Sequence, residues 1–177
     1  ILSIAIGHLV MVSVMVMTPV HMAHVDVSLK IIGLVISVHV IGMYAFSPVV
    51  GGISDRIGRI KTIQAGLLIL LASAVVSGTA AADDVPRIGF GLFLLGLGWS
   101  FTLIAGSALL SSSVDVTLKT STQGASDLVM NLAGAGGGAA AGVIISSLTY
   151  GWLCTFSSIP VIALAIWSAS FRSFEAP

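Results

Sequence analysis

Apolar positions along this 177-residue chain do not alternate with polar ones; they run on in long blocks. Six blocks, at approximately 1-22, 31-50, 62-82, 87-113, 123-148 and 151-171, are each about as long as a bilayer is thick. A helix rising about 1.5 Å per residue crosses a hydrocarbon core of roughly 30 Å in about 20 residues. The breaks between the blocks read AHVDVSLK, GGISDRIGRIK, DDVPR, VDVTLKTST and TYG. Connections this short hold no soluble domain and make each span the antiparallel neighbour of the next. Without period-two alternation a membrane barrel is disfavoured, whereas a helix pairs its own backbone groups inside lipid. The pattern therefore predicts an all-α polytopic membrane protein, one bundle of six transmembrane helices over residues 1-177.

Composition agrees. The chain is 56% hydrophobic and 8% charged, with a mean hydropathy of +1.12, against roughly 25% charged residues in ordinary soluble domains. So few charges do not cover a water-facing surface, and the lipid bilayer is the implied partner. Seven basic and seven acidic residues cancel, so neither a nucleic-acid groove nor an acidic partner is implied. Cys154 is the one cysteine, lies in an apolar run and reads as a small core residue. Ile1 stands where a methionine would begin a gene product, and the opening run has neither a basic leader nor a small-residue cleavage site, so it reads as a span with an upstream part expected. If spans alternate, Arg56, Arg59, Lys61, Lys119 and Arg172 fall on one side and Lys30 and Arg87 on the other. Basic residues gather in cytoplasmic loops. Both chain ends are then cytoplasmic in a multi-pass protein of the cell membrane.

The densest charge lies between the second and third spans, where Gly51, Ile53, Asp55, Arg56, Gly58 and Arg59 stand in the order Gly-x-Ile-x-Asp-Arg-x-Gly-Arg. Gly51 and Gly52 allow a tight reversal at the membrane surface, and Gly58 lets the next helix start close to its neighbour. Asp55 suits a helix N-terminus, its own or a neighbour's, while Arg56 and Arg59 suit carboxylates or lipid phosphate.

This segment resembles the signature loop of the major facilitator superfamily of transporters, Gly-x-Leu-x-Asp-Arg-x-Gly-Arg followed by a base. Ile53 replaces the leucine, and Ile60 stands where the base is common, with Lys61 after it. In that family the loop joins the second and third helices of a six-helix half. Within the fourth span the run from Ile88 to Ser113 carries no ionisable residue, the fifth span is rich in glycine, and the tail is short and basic. The resemblance thus implies one half of a twelve-helix transporter fold, the C-terminal half, with an N-terminal six-helix half missing, or a second copy in its place, as partner.

Polar side chains inside a bilayer cost several kcal/mol unless they face protein or water, so each is a functional candidate. His39 lies mid-span, with Ser37 and Tyr44 nearby in sequence, and titrates in a useful range or else donates to a neighbouring helix's carbonyl. The resemblance implies that the first and fourth helices line a central cavity, which directs His8, Ser13, Trp99, Ser100 and Thr102 toward it. Trp99, central in its span, offers a surface for a flat or apolar small-molecule substrate or packs in the core. His21 and His24 share a helical face without an evident third ligand, so no metal site is predicted. Asp127 and Asn131, four apart, begin a face continuing through Gly134 or Ala135, Gly138 and Gly142, a small-residue pattern for close helix packing. The resemblance places Asp127 in a cytoplasmic gate beside the signature segment of the other half.

The expected function is secondary active transport of a small molecule by alternating access, with a proton as the first choice of coupling ion. No Gly-x-x-x-x-Gly-Lys-Ser pattern occurs, and no cofactor is implied. Two other classes stay open: a non-transporting or degenerate membrane protein that keeps the fold, and, less favoured, a membrane-embedded enzyme, for which Ser111 to Ser113 at a helix end offer little convergence.

Overall fold

The computed structural model describes residues 1–170; Phe171 and Arg172, expected at the last span's end and on the basic side, lie outside the described residues. Seven α-helices form among the described residues: α1 (Leu2–Ala23), α2 (Leu29–Tyr44), α3 (Ser47–Ile57), α4 (Arg59–Gly78), α5 (Val85–Ser112), α6 (Lys119–Ser147) and α7 (Tyr150–Ala169). A 3-10 turn, Val116–Leu118, leads into α6, so the fifth helix begins earlier than the apolar run suggested. Because α2 and α3 form one apolar length, Leu29–Ile57, six helical stretches among the described residues are long and apolar enough to cross a membrane.

Pro48 explains why the second stretch is two helices. It has no N–H for the carbonyl of Tyr44, four residues earlier, and its ring crowds that carbonyl. The last regular bond before the break is Ala45 N–H to Ile41 O at 2.9 Å, and the helix resumes with Val50 N–H to Phe46 O at 2.9 Å.

The charged segment departs from expectation. Gly51 and Gly52 are helical, inside α3, and do not make the reversal. The chain turns at Gly58, whose φ of 93° and ψ of 151° lie in a region open mainly to glycine. One residue therefore separates α3 from α4, and Asp55 sits in the last turn of α3, among carbonyl ends. Its own helix thus offers it no N-terminal N–H groups, and α4 has no side-chain cap at its start.

Packing centres on α5. It lies against α4, α2 and α1; α7 closes against α4 and α1, and α6 leans mainly on α1. Two-thirds of the apolar window of α5 is buried (67%), against 17% for the stretch containing α6. Glycines set the close seam between α2 and α5: a Cβ on Gly42 would strike the Phe93 carbonyl, and one on Gly96 the His39 carbonyl. Backbones that approach this closely gain dispersion contact, the main force between helices once lipid replaces water. Polar ties add to it. Ser73 Oγ donates to Gly91 O at 2.7 Å, Thr18 and Tyr150 hydroxyls meet at 2.8 Å, and Gln64 Nε2 donates to Ser168 O at 3.1 Å. Such bonds contribute about 0.6 to 2 kcal/mol each in membranes.

The helices alternate in direction. Ile1, Ile60, Leu109 and Trp167 surround one cleft, which puts the starts of α1 and α4 and the ends of α5 and α7 at the same end. Arg56, Arg59 and Lys119 share that end, while Arg87 bonds Thr79 Oγ1 at 2.6 Å at the other.

Candidate functional site

Three helices bring their rings together midway along the bundle. Trp99 is near the middle of α5, His8 comes two turns into α1, and Tyr44 ends α2 at the Pro48 break. The indole Nε1–H of Trp99 donates to His8 Nδ1 at 3.1 Å. Their ring centroids are 6.1 Å apart, and Tyr44 meets Trp99 edge-on at 5.9 Å and 80°. Trp99 is only 6% exposed while Tyr44 is 59% exposed, so the group runs from a fixed base to an open surface. One more helix, α6, meets the group through Gly134: a Cβ there would stand 2.5 Å from His8 Cδ2 and 2.9 Å from Nε2. Glycine at that position is what lets the imidazole lie against the α6 backbone.

On the exposed side of α6, Asn131 Nδ2 donates to Asp127 O at 2.7 Å, and Gln123 Nε2 donates to Asp127 Oδ1 at 3.0 Å. Asp127 borders an open hollow of about 520 Å³ with Ser111, Lys119 and Gln123. It lies at the end that carries Arg56 and Arg59. The Arg59 guanidinium donates to Ser112 Oγ, tying the start of α4 to the end of α5. Asp55 and Arg56 are exposed.

Other candidates stand apart. His39 is fully buried in the α2–α5 seam; its Nδ1 meets Leu92 O at 2.8 Å and its Nε2 is enclosed with no partner among the described residues. Thr102 is buried against Gly7 and Gly66, with Oγ1 donating to Trp99 O at 2.9 Å, behind the ring group. Ser13 Oγ donates to Leu9 O at 2.7 Å within α1, and Ser100 is buried. His21 stacks on Tyr150 at 4.4 Å, and His24 Nδ1 meets Val20 O at 2.6 Å. The small-residue face of α6 also differs from expectation. Ser126, Gly134, Gly137 and Ala141 are the buried positions of α6, with Gly137 against Leu9 and Ser13 of α1, whereas a Cβ on Gly142 would meet nothing within 4 Å. Reading the row from Asp127 every four residues followed the neighbouring, less covered stripe.

Three contributors were missed. Gln123, four residues before Asp127, was available from helical spacing alone. Gly134 as the seat of His8 and Ser112 as the partner of Arg59 depend on contacts between helices distant in sequence.

These features define a polytopic α-helical membrane protein in which side chains of three helices, His8, Tyr44 and Trp99, meet midway along the bundle. The family model for the Major Facilitator Superfamily matches residues 1–175, and the chain belongs to that superfamily. It is 38% identical over 165 residues to the uncharacterized MFS-type transporter YddS of Bacillus subtilis, covering 92% of this chain and 38% of YddS. It is 40% identical over 167 residues to the uncharacterized MFS-type transporter YdeG of the same organism, covering 90% of this chain and 38% of YdeG. The riboflavin transporter RfnT of Brucella anthropi is 30% identical over 172 residues, with 94% of this chain and 42% of RfnT covered. The chain thus spans about two fifths of the length of these relatives.

Proposed function

We propose that this chain is the C-terminal six-helix half of a secondary transporter that moves a small molecule across the cell membrane by alternating access. A preceding six-helix half, or a second copy, completes the pathway, and both ends of the chain face the cytoplasm. The observation that carries this reading is the His8–Trp99–Tyr44 group, which gathers three helices' polar aromatic side chains midway along the bundle, from the buried Trp99 to the exposed Tyr44. Transporters of repeated halves bind cargo near the bilayer midplane between the halves. The naming of one relative as a riboflavin transporter supports a planar cargo. The segment from Gly51 to Arg59 works as a cytoplasmic latch, and Asp127 is its counterpart on this half. His8, a member of the ring group, is the coupling group of choice, with protonation breaking its bond from the Trp99 N–H, whereas His39 Nδ1 is held by Leu92 O.

Reconstituted full-length protein should take up or expel substrate in proteoliposomes, with a rate that depends on an imposed pH gradient. Asp55→Asn should lower that rate about tenfold or more while insertion and yield stay unchanged; equal loss of insertion would make the segment a topology marker only. No flux for any compound in a broad screen, from correctly inserted protein, would favour a non-transporting member.

A further inference from the structure

The bond between Trp99 and His8 has a direction. An indole nitrogen donates and cannot accept, so His8 Nδ1 must present its lone pair, and the proton of the neutral ring sits on Nε2. Nε2 lies on the ring edge that rests against the α6 backbone at Gly134, where a Cβ would stand 2.9 Å from it. Unlike Nε2 of His39, it is not among the enclosed atoms that lack a partner, so it stays within reach of a ligand at the His8–Gly134 contact. One turn away along α6, Asn131 spends its amide N–H on Asp127 O, which leaves Oδ1 uncommitted.

We infer that Trp99 is a positioning residue: its N–H fixes His8 in the tautomer that offers Nε2–H to a ligand, so the site takes an uncharged planar heteroaromatic molecule carrying a carbonyl or ring-nitrogen acceptor. This rests on the transport reading for its location and adds the class of cargo. Tyr44, exposed and held edge-on to Trp99, supplies the ring surface on which a planar ligand lies. A cation lacking an acceptor finds an N–H pointed at it and no carboxylate in the ring group. Hydrogen bonding of this kind discriminates strongly, because a ligand without the acceptor leaves the polar group unpaired.

The test uses full-length protein in nanodiscs with 15N-labelled histidine rings, signals being assigned by their loss in His8→Gln. Nδ1 of His8 should be unprotonated and Nε2 protonated, and Trp99→Phe, which keeps a ring but has no N–H, should give a mixture of tautomers. A proton on Nδ1, or the same tautomer in Trp99→Phe, overturns the positioning role. Should Trp99→Phe not fold, the wild type decides: scalar coupling between Trp99 Nε1 and His8 Nδ1 across the hydrogen bond is expected, and its absence counts against the role. Caffeine, uncharged and planar with two carbonyls, should shift the His8 Nε2 signal, and benzyltrimethylammonium at equal concentration should leave it in place. Equal shifts from both, or none from caffeine, overturn the cargo class. These readouts are separate from flux: absent transport with the expected tautomer and caffeine shift removes the transport reading alone.

Discussion

Helices α5 and α6 look alike on paper and behave differently in the bundle. Both are long, apolar and rich in glycine. Yet α5 is buried over most of its length, and α6 is buried over little of its own. In α5 the glycines meet neighbours on several sides: Gly91 faces Ser77, Gly96 the backbone of His39, and Gly98 both Leu70 and Gly66. In α6 only Gly134 and Gly137 are seated tightly, while a Cβ on Gly124, Gly136 or Gly142 would meet nothing within 4 Å. Glycine in a membrane helix therefore marks a surface that can be approached closely, not one that is. The polar residues divide the same way. Those around α5, such as Ser73 and His39, bond to carbonyls of neighbouring helices, whereas Gln123, Asp127 and Asn131 bond one another along α6.

The largest effect expected from this contrast is at the α2–α5 seam. Gly96→Leu places a side chain against the His39 carbonyl and the Met43 backbone, where neither helix can yield without parting. Overpacking costs about 1–3 kcal/mol where side chains can shift and more where backbone must, so this variant should fail to give monodisperse protein in mild detergent. Gly136→Leu should purify as the wild type does, within about 0.5 kcal/mol of its stability. Equal damage at the two positions would mean that another helix covers α6 in the full-length protein, and the contrast would dissolve.

A smaller effect is expected at His39. Replacement by Leu removes the bond from Nδ1 to Leu92 O, which should cost about 1–2 kcal/mol and lower the melting temperature. His39→Asn, with an amide N–H to offer, should recover part of that loss. An unchanged melting temperature together with an altered pH dependence of uptake would make His39 a coupling residue and not a tie.

These positions show what sequence could reveal. Six apolar lengths were legible because each helix satisfies its own backbone in lipid, so length and hydropathy suffice. The family was legible because Asp55, Arg56, Gly58 and Arg59 keep a fixed spacing. The turn inside that segment was not: the residues from Gly51 to Ile57 continue a helix, and only the backbone angles at Gly58 reveal where the chain reverses. Pro48 carried the signal for the break after Tyr44 but was read as part of a continuous span. His8, Tyr44 and Trp99 could each be nominated from polarity within an apolar run. Their convergence depended on which faces of α1, α2 and α5 meet, and spans with hydrophobic residues all round carry little record of that. For the same reason His39 stood out first on polarity, though it is enclosed against a carbonyl, while His8, half-buried, is the one that joins the ring group.

Asp127 gives the smallest effect on stability and the sharpest question about α6. Asparagine at that position keeps an oxygen for Gln123 Nε2, and the bond from Asn131 goes to the backbone carbonyl, so the helix itself should be unchanged within about 0.5 kcal/mol. What the substitution removes is one negative charge on an exposed surface near Lys119. If that charge serves a gate, it meets a helix N-terminus or a base of another segment in one state and water in the other. A difference of about 0.3–1 kcal/mol shifts such an equilibrium roughly two- to fivefold. Ser111 lines the same hollow, so the rate of maleimide labelling at Ser111→Cys, in a Cys154→Ala background, reports opening at that end. Asp127→Asn should change this rate by that factor in the full-length protein. An identical rate, with folding intact, would assign Asp127 to solvation of the α6 start, and the uncovered face of α6 would then owe nothing to gating.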